Sequence, residues 1–348
     1  MRAKRRVRLD ELYEQKMDPI LLEDLPSDSS DPGSLHFRRS VKNLCEPLRL
    51  ELEDINAFSR RSHRQALKRV MLGTSRELVG ETLARLTQAF QIFGFVDEEL
   101  RDLGSRRWWV QAKACRNLSL MHAEDATSDL VILLNDDEED VRTEAAMALV
   151  NIAGVKDLDL LFTNLQRVSV WMFIQLSKAI LSMGSSAVPA LVDSLKSEYE
   201  SVKGFSVSML GEIKDIRASA PLIELAAGAE VELKCKALVA IGKLGNEAGK
   251  HILFENLACD NEELRVSAAR GLGYLASPEA ASFLKEHLLQ DRLRVRLEAG
   301  RSLTKIDTAG RASLQEAFEE ADDVGKKIVF HFLEELDFHG ETTKRQLP

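Results

Sequence analysis

A period of about 31 residues governs this chain from Ser105 onward. Aliphatic residues stand at Leu118, Leu149, Ile180, Leu210, Ile241, Leu272 and Leu303, at intervals of 31, 31, 30, 31, 31 and 31. Four residues before each stands Ala114, Ala145, Leu176, Ser206, Ala237, Ala268 or Ala299, and four before those Val110, Val141, Met172, Val202, Leu233, Leu264 or Val295. A spacing of four returns to the same side of an α-helix, so each triplet marks one buried stripe. The mostly small middle residue leaves room for a neighbouring helix to approach. A glycine or polar turn follows, as at Gly154, Gly184 and Gly245, and then a second apolar pattern such as Ala280, Phe283, Leu284 and Leu288. The repeating unit is therefore a helical hairpin. A hairpin this small cannot bury both faces alone, so neighbours must stack on a shared core. No strand-type alternation is sustained, and the fold class is all-α.

The period divides the chain. Residues 1–34 read as a basic, largely disordered tail and linker, because Leu25 to Ser34 is rich in Pro, Ser, Asp and Gly. Residues 35–104 read as a helical entry region, 105–338 as the repeat array of seven hairpins with a closing helix, and 339–348 as a disordered tail. Charge follows the same division. Residues 1–76 hold 16 Lys and Arg against 12 Asp and Glu, which leaves 31 against 44 in the rest of a chain of net charge −9. An acidic array is a poor groove for phosphate backbones, so nucleic acid is an unlikely partner except locally, through the basic amino-terminal region. Cys45, Cys115, Cys235 and Cys259 lie far apart without metal or disulfide spacing and read as reduced core thiols of a cytoplasmic protein. Apolar runs such as Val170 to Ile174 and Ala145 to Val150 stop at five or six residues, too short for a membrane span.

The stretch Leu-Leu-Asn-Asp-Asp-Glu-Glu-Asp-Val-Arg-Thr-Glu-Ala-Ala-Met-Ala-Leu at 133–149 resembles the HEAT repeat consensus, in its phycobilin-lyase-like branch, and residues 261–275 and 292–306 are similar. The resemblance implies a right-handed α-solenoid of HEAT-type hairpins. It also implies a ladder in which an Asp precedes the first helix and an Arg follows its hydrophobic position: Asp137 with Arg142, Asp260 with Arg265, Asp291 with Arg296. The ladder lapses where Gln111, Phe173, Lys203 and Lys234 hold the arginine position. Leu103 to Trp109, Val168 to Trp171 and Lys326 to His331 further resemble bacterial HEAT proteins tethered to the inner membrane and encoded beside family 2 glycosyltransferases. Arg2, Lys4, Arg5, Arg6 and Arg8 are the cations that would follow a membrane span on its cytoplasmic side, or lie on an anionic lipid surface.

Catalytic constellations are absent from the pattern. Gly271-Leu272-Gly273-Tyr274-Leu275-Ala276 has dinucleotide-fingerprint spacing but sits in a helical repeat, where that fingerprint needs a strand. His251 with Glu255 and His331 with Glu334 are isolated pairs, insufficient for a metal. No His-Glu dipeptide occurs, which sets the chain apart from HEAT-fold deoxyhypusine hydroxylases, and the acidic array sets it apart from HEAT-like alkylpurine DNA glycosylases. The sequon at Asn117 falls in mid-helix. Neither a cofactor nor a metal is expected. What stands out is Arg106, Arg107, Trp108 and Trp109, then Trp171 with Phe173, since Trp and Arg dominate binding hot spots when exposed. The bland reading packs one tryptophan of the first cluster against the entry helices and buries the second cluster at a bend. The expected function is a non-enzymatic protein-interaction scaffold, and the resemblance implies a glycosyltransferase as its partner. The alternatives are a bilin-lyase-like or chaperone-like accessory protein and local nucleic-acid binding by residues 1–76.

Overall fold

A computed structural model describes residues 2–23, 25 and 31–345, with the side chains of 2–5, 57–58, 153, 157 and 338–345 left out of the description. Every regular element among the described residues is helical. The chain divides into two compact units, Met1–Leu165 and Gln166–Pro348.

The first unit opens with α1 (Arg2–Leu22), α2 (Leu35–Asp54), α3 (Ala57–Thr74), α4 (Gly80–Ile92) and α5 (Phe95–Leu103). Two hairpins follow, α6 (Trp108–Leu120) with α7 (Thr127–Leu133) and α8 (Glu139–Ala153) with α9 (Leu158–Asn164). The second unit holds α10 (Val170–Met183) with α11 (Val188–Ser194), α12 (Glu200–Ile213) with α13 (Ser219–Gly228), and α14 (Val231–Leu244) with α15 (Lys250–Leu257). It ends with α16 (Glu262–Leu275) and α17 (Ala280–Gln290), α18 (Leu293–Leu303) and α19 (Asp307–Glu320), and α20 (Asp323–Arg345).

The 31-residue markers lie on the first helix of every hairpin. Of the 21 marker residues, 20 are buried, and Val110, at the start of α6, is half-buried. Local chemistry sets the helix ends. Asn261 accepts hydrogen bonds from the Glu263 and Leu264 amides to start α16, and the Asp136 carboxylate accepts from the Glu138 amide ahead of α8, each satisfying donors a helix start leaves free. Gly245, at φ 66°, ends α14 in the left-handed conformation that costs glycine least. Successive first helices pack on one another, α6 on α8 and, in the second unit, α12 on α14, α14 on α16 and α16 on α18. Glycine directly after the last marker lets two of these crossings close backbone to backbone. A Cβ on Gly242 would stand 2.2 Å from the Gly271 carbonyl oxygen, and one on Gly273 would stand 2.6 Å from the Ser302 Cβ. The G-x-G spacing at 271–273 is thus a helix-packing feature.

Both expected disordered tails are corrected in part. Residues 2–22 form α1, which buries Tyr13, Met17 and Ile20. The i, i+4, i+7 spacing of these residues makes one apolar stripe, which the surrounding charge and Pro19 mask in the sequence. The helix is pinned to the entry region by Arg69 to the Asp10 carboxylate at 2.6 Å, Tyr13 Oη to His63 Nδ1 at 2.9 Å and Arg85 to the Glu23 carbonyl at 2.6 Å. At the other end α20 runs on to Arg345. It is docked by the Phe332 ring, which occupies the notch that Gly300 leaves on α18. Linker residues 24 and 26–30 and tail residues 346–348 lie outside the described residues.

Candidate functional site

Helix α6 starts from an unusual set of groups. Its first turn carries no acidic residue, and Arg107 at the N-cap makes no side-chain capping bond, although carboxylates are the usual complement to a helix start. Trp108 and Trp109 open the helix edge to face, centroids 5.9 Å apart at 89°, and the Arg107 guanidinium lies 5.9 Å from the centre of the Trp109 ring. Arg106 and Arg107 are exposed, Trp108 is 39% exposed and Trp109 55%. Neither ring is a buried core residue. The reason is in the register: the buried stripe of α6 runs Ala114, Leu118, and residues one and two places before Val110 point off that stripe.

Trp171 and Phe173 part company on α10. Trp171 is 50% exposed and continues an apolar surface of Val170 at 80%, Ile174 at 56% and Leu181 at 41%. Phe173 is half-buried, its ring edge-on to Phe205 at 5.3 Å and 83°.

The arginine ladder takes a different form from the one the consensus implies. Arg142 donates to the backbone carbonyls of Asp136 and Asp137, at 2.7 and 2.8 Å, and not to the Asp137 carboxylate. Arg265 likewise donates to the carbonyls of Cys259 and Asp260, at 2.9 and 2.8 Å. Its other two nitrogens make a bidentate pair with Asp291 of the next hairpin, both at 2.8 Å. Arg296 donates to the Leu288 carbonyl at 2.8 Å and lies 3.4 Å from the Asp322 carboxylate. Gln111 fills the same place in α6, donating to the Leu103 carbonyl at 3.1 Å. Each rung closes the end of the preceding hairpin, and Arg265 also ties it to the following one. Burial pushes the Asp291 carboxyl up, and hydrogen bonds from Arg265, His287 and the Arg292 amide outweigh that and hold it down at about 2.

Much of the basic surplus of the amino-terminal region is spent internally. Arg64 and Lys68 bind Glu98 at 2.6 and 3.1 Å, and Arg49 pairs with Glu46 and Glu53. Lys68 also reaches Glu99 at 2.8 Å, and Glu99, 2% exposed, accepts from the Asn117 amide at 2.8 Å. This buried network joins α3, α5 and α6 and consumes the sequon asparagine. Sequence reasoning missed it, because a lone Glu in a helix carries no sign of a partner 18 or more residues away. Arg6 and Arg8 are exposed at the start of α1, while the side chains of Arg2, Lys4 and Arg5 lie outside the description. No helix among the described residues is long and apolar enough to cross a membrane.

Among the described residues no group of three or more His, Cys, Asp and Glu is placed to hold a metal. His251 lies 3.0 Å from the Ala248 carbonyl, and His331 stacks at a tilt on Phe332. Cys45 and Cys115 are buried, and burial pushes both thiols up to about 12, which keeps them protonated and unreactive. Cys235 and Cys259 are only half-buried, short of the core position expected of them.

Known proteins place the repeat. The HEAT repeat family matches residues 98–173 and 251–329. No curated protein sequence matches the chain. Among solved structures, importin β is 14% identical over 93% of this chain and 52% of its own length, with a TM-score of 0.46. The phycocyanin lyase complex of CpcE and CpcF from Nostoc sp. PCC7120 is 18% identical over 69% and 94%, with a TM-score of 0.33. Human deoxyhypusine hydroxylase is 17% identical over 95% and 98%, with a TM-score of 0.31. The chain is an all-α protein built of stacked helical hairpins, and it carries HEAT repeats.

Proposed function

We propose that this chain is a non-enzymatic scaffold that binds a protein through surfaces centred on its tryptophans. One observation carries the reading: all three tryptophans of the chain, Trp108, Trp109 and Trp171, are 39% or more exposed. Tryptophan buries one of the largest areas of any side chain, and Trp and Arg are enriched among the residues that dominate binding energy at interfaces. The resemblance of residues 103–109 and 168–171 to membrane-tethered HEAT proteins makes a family 2 glycosyltransferase, at the cytoplasmic face of a bacterial membrane, the first partner to test.

Quantitative cross-linking and pull-down from the native source, comparing the chain with a Trp108→Ala, Trp109→Ala double variant and with Trp171→Ala, examines this directly. Because the rings are exposed, the variants should melt within a few degrees of the parent while recovery of a reproducible partner falls about tenfold or more. Equal recovery by all three proteins would remove the tryptophans from the account.

A further inference from the structure

Between the amino-terminal ends of α10, α12 and α14 lies a groove of about 700 Å³. Its floor is the Phe173 and Phe205 ring pair and the bare backbone of Gly204. The groove opens in the register where the arginine ladder lapses. In α8, α16 and α18 this position is Arg142, Arg265 or Arg296, each reaching back to a carbonyl of the preceding segment. In α10 it is Phe173, whose ring has no donor to offer. In α12 it is Lys203, which turns aside to Glu200 at 2.5 Å. Gly204 then keeps the gap open: a Cβ there would come within 3.1 Å of the Lys236 ammonium, which lies across the groove and pairs with Glu232 at 2.9 Å.

Charge gives the chemistry of the occupant. The charged residues lining the groove are Glu200, Glu230, Glu232 and Lys236; Lys203 holds Glu200 and Lys236 holds Glu232, which leaves Glu230 as the uncompensated carboxylate. Glu230 is exposed at the N-cap of α14, makes no capping bond there, and has no ion pair among the described residues. A cation that also tolerates an aromatic floor is what this surface lacks. The guanidinium meets both demands, being planar, weakly hydrated and able to stack on a ring while donating in its plane to carboxylate and carbonyl. Beside the groove, Val170 at 80% exposed offers an apolar neighbour.

We infer that this groove binds an arginine-bearing segment of a partner protein, the partner's guanidinium serving in trans as the rung that Phe173 cannot provide, with an adjacent aliphatic residue resting on Val170. The inference rests on the scaffold reading above and names the partner segment it would take.

Fluorescence anisotropy of the full chain with a labelled peptide Gly-Leu-Arg-Ile-Arg-Leu-Gly, and with versions carrying Glu for Arg or Ser for Leu and Ile, provides the test. The arginine peptide should bind about tenfold or more tighter than either altered version, and Glu230→Gln should weaken it about threefold to tenfold. Phe173→Arg should abolish binding, because the rung is rebuilt in cis, while loss of the Phe205 ring contact lowers the melting temperature by a few degrees and leaves the chain folded. Equal binding of the arginine and serine versions would reduce the effect to charge alone and overturn the proposal, as would undiminished binding by Phe173→Arg. If Phe173→Arg does not fold, the exposed Glu230→Gln decides, and its binding as the parent does would overturn the proposal. A failed peptide test alongside a partner still lost from the tryptophan variants would sink the groove and leave the scaffold standing.

Discussion

At Gly242 a hydrogen atom is the side chain the fold needs. The helices α14 and α16 touch backbone to backbone there, and the obstruction to a methyl group is the Gly271 carbonyl, which no rotamer can move aside. Gly242→Ala should therefore cost about 1–3 kcal/mol of unfolding free energy in urea, as overpacked cores do. Gly228→Ala, with nothing within 4 Å of the new methyl, should lie within about 1 kcal/mol of the parent, on the stabilising side if anywhere. Equal losses at the two sites would show that helix propensity and not the crossing governs them. Ala268, wholly buried on α16, makes a harsher probe. Ala268→Asp places an unpaired charge in a helix contact and should abolish the cooperative transition of the second unit or lower its midpoint steeply. An unchanged melting curve would mean that Ala268 does not face the stack.

Where one helix hands over to the next, the Arg265–Asp291 rung couples α16 to α18, and its strength depends on pH in a calculable direction. Asp291 titrates at about 2 in the folded chain against an ordinary value of 3.8. The folded state thus favours the ionised form, and the stabilisation is complete above about pH 4 and is lost as pH falls through about 2. Asp291→Asn should cost about 2 kcal/mol near neutrality. The gap between the parent and this variant in urea unfolding should stay constant from pH 7 to about pH 4 and narrow below that; a gap already closing between pH 7 and 5 would show that ionisation of the Asp291 carboxylate does not carry the effect. The rung also shows how far the sequence is legible at this scale. Helix positions follow from the period, because burial of the stripe repeats with it, and the ladder arginines stand where the consensus has them. Their acceptors are not legible. Arg142 finds two carbonyls while Arg265 finds carbonyls and a carboxylate, since the choice depends on which acid the next hairpin presents. Nor is α1 legible as a docked helix. Its stripe of Tyr13, Met17 and Ile20 is short, and the groups that receive it lie 50 and more residues away. The groove at Phe173 was half legible: the lapse of the ladder is plain in the sequence, but the room left by Gly204 needs the neighbouring helices in place.

On the scale of the whole chain, stability in a repeat protein is a sum of local terms and nearest-neighbour contacts, so it need not be uniform along the stack. In the second unit, Lys250–Glu279, Arg265–Asp291, Arg270–Glu298 and Lys285–Glu316 each join one hairpin to the next. Most such pairs are partly exposed and individually contribute little, but they accompany the glycine crossings of α14, α16 and α18, where the backbones meet. The packing of α10 on α12 is sparser than that of the later first helices, and rests on the Phe173–Phe205 edge contact and on Ser201 Oγ, which accepts from the Val168 amide at 3.1 Å. Native-state hydrogen exchange read by mass spectrometry should accordingly protect peptides from 231–303 most strongly and those from 170–195 least within this unit. The difference should be at least about tenfold, or about 1.4 kcal/mol of opening free energy. Uniform protection throughout the unit would instead make it one cooperative body and remove any link between repeat coupling and the groove. The expected gradient gives that link a physical form. Surfaces that receive a partner are drawn from the less stable end of a structure, and a hairpin whose own rung is missing gains most from one supplied by a partner.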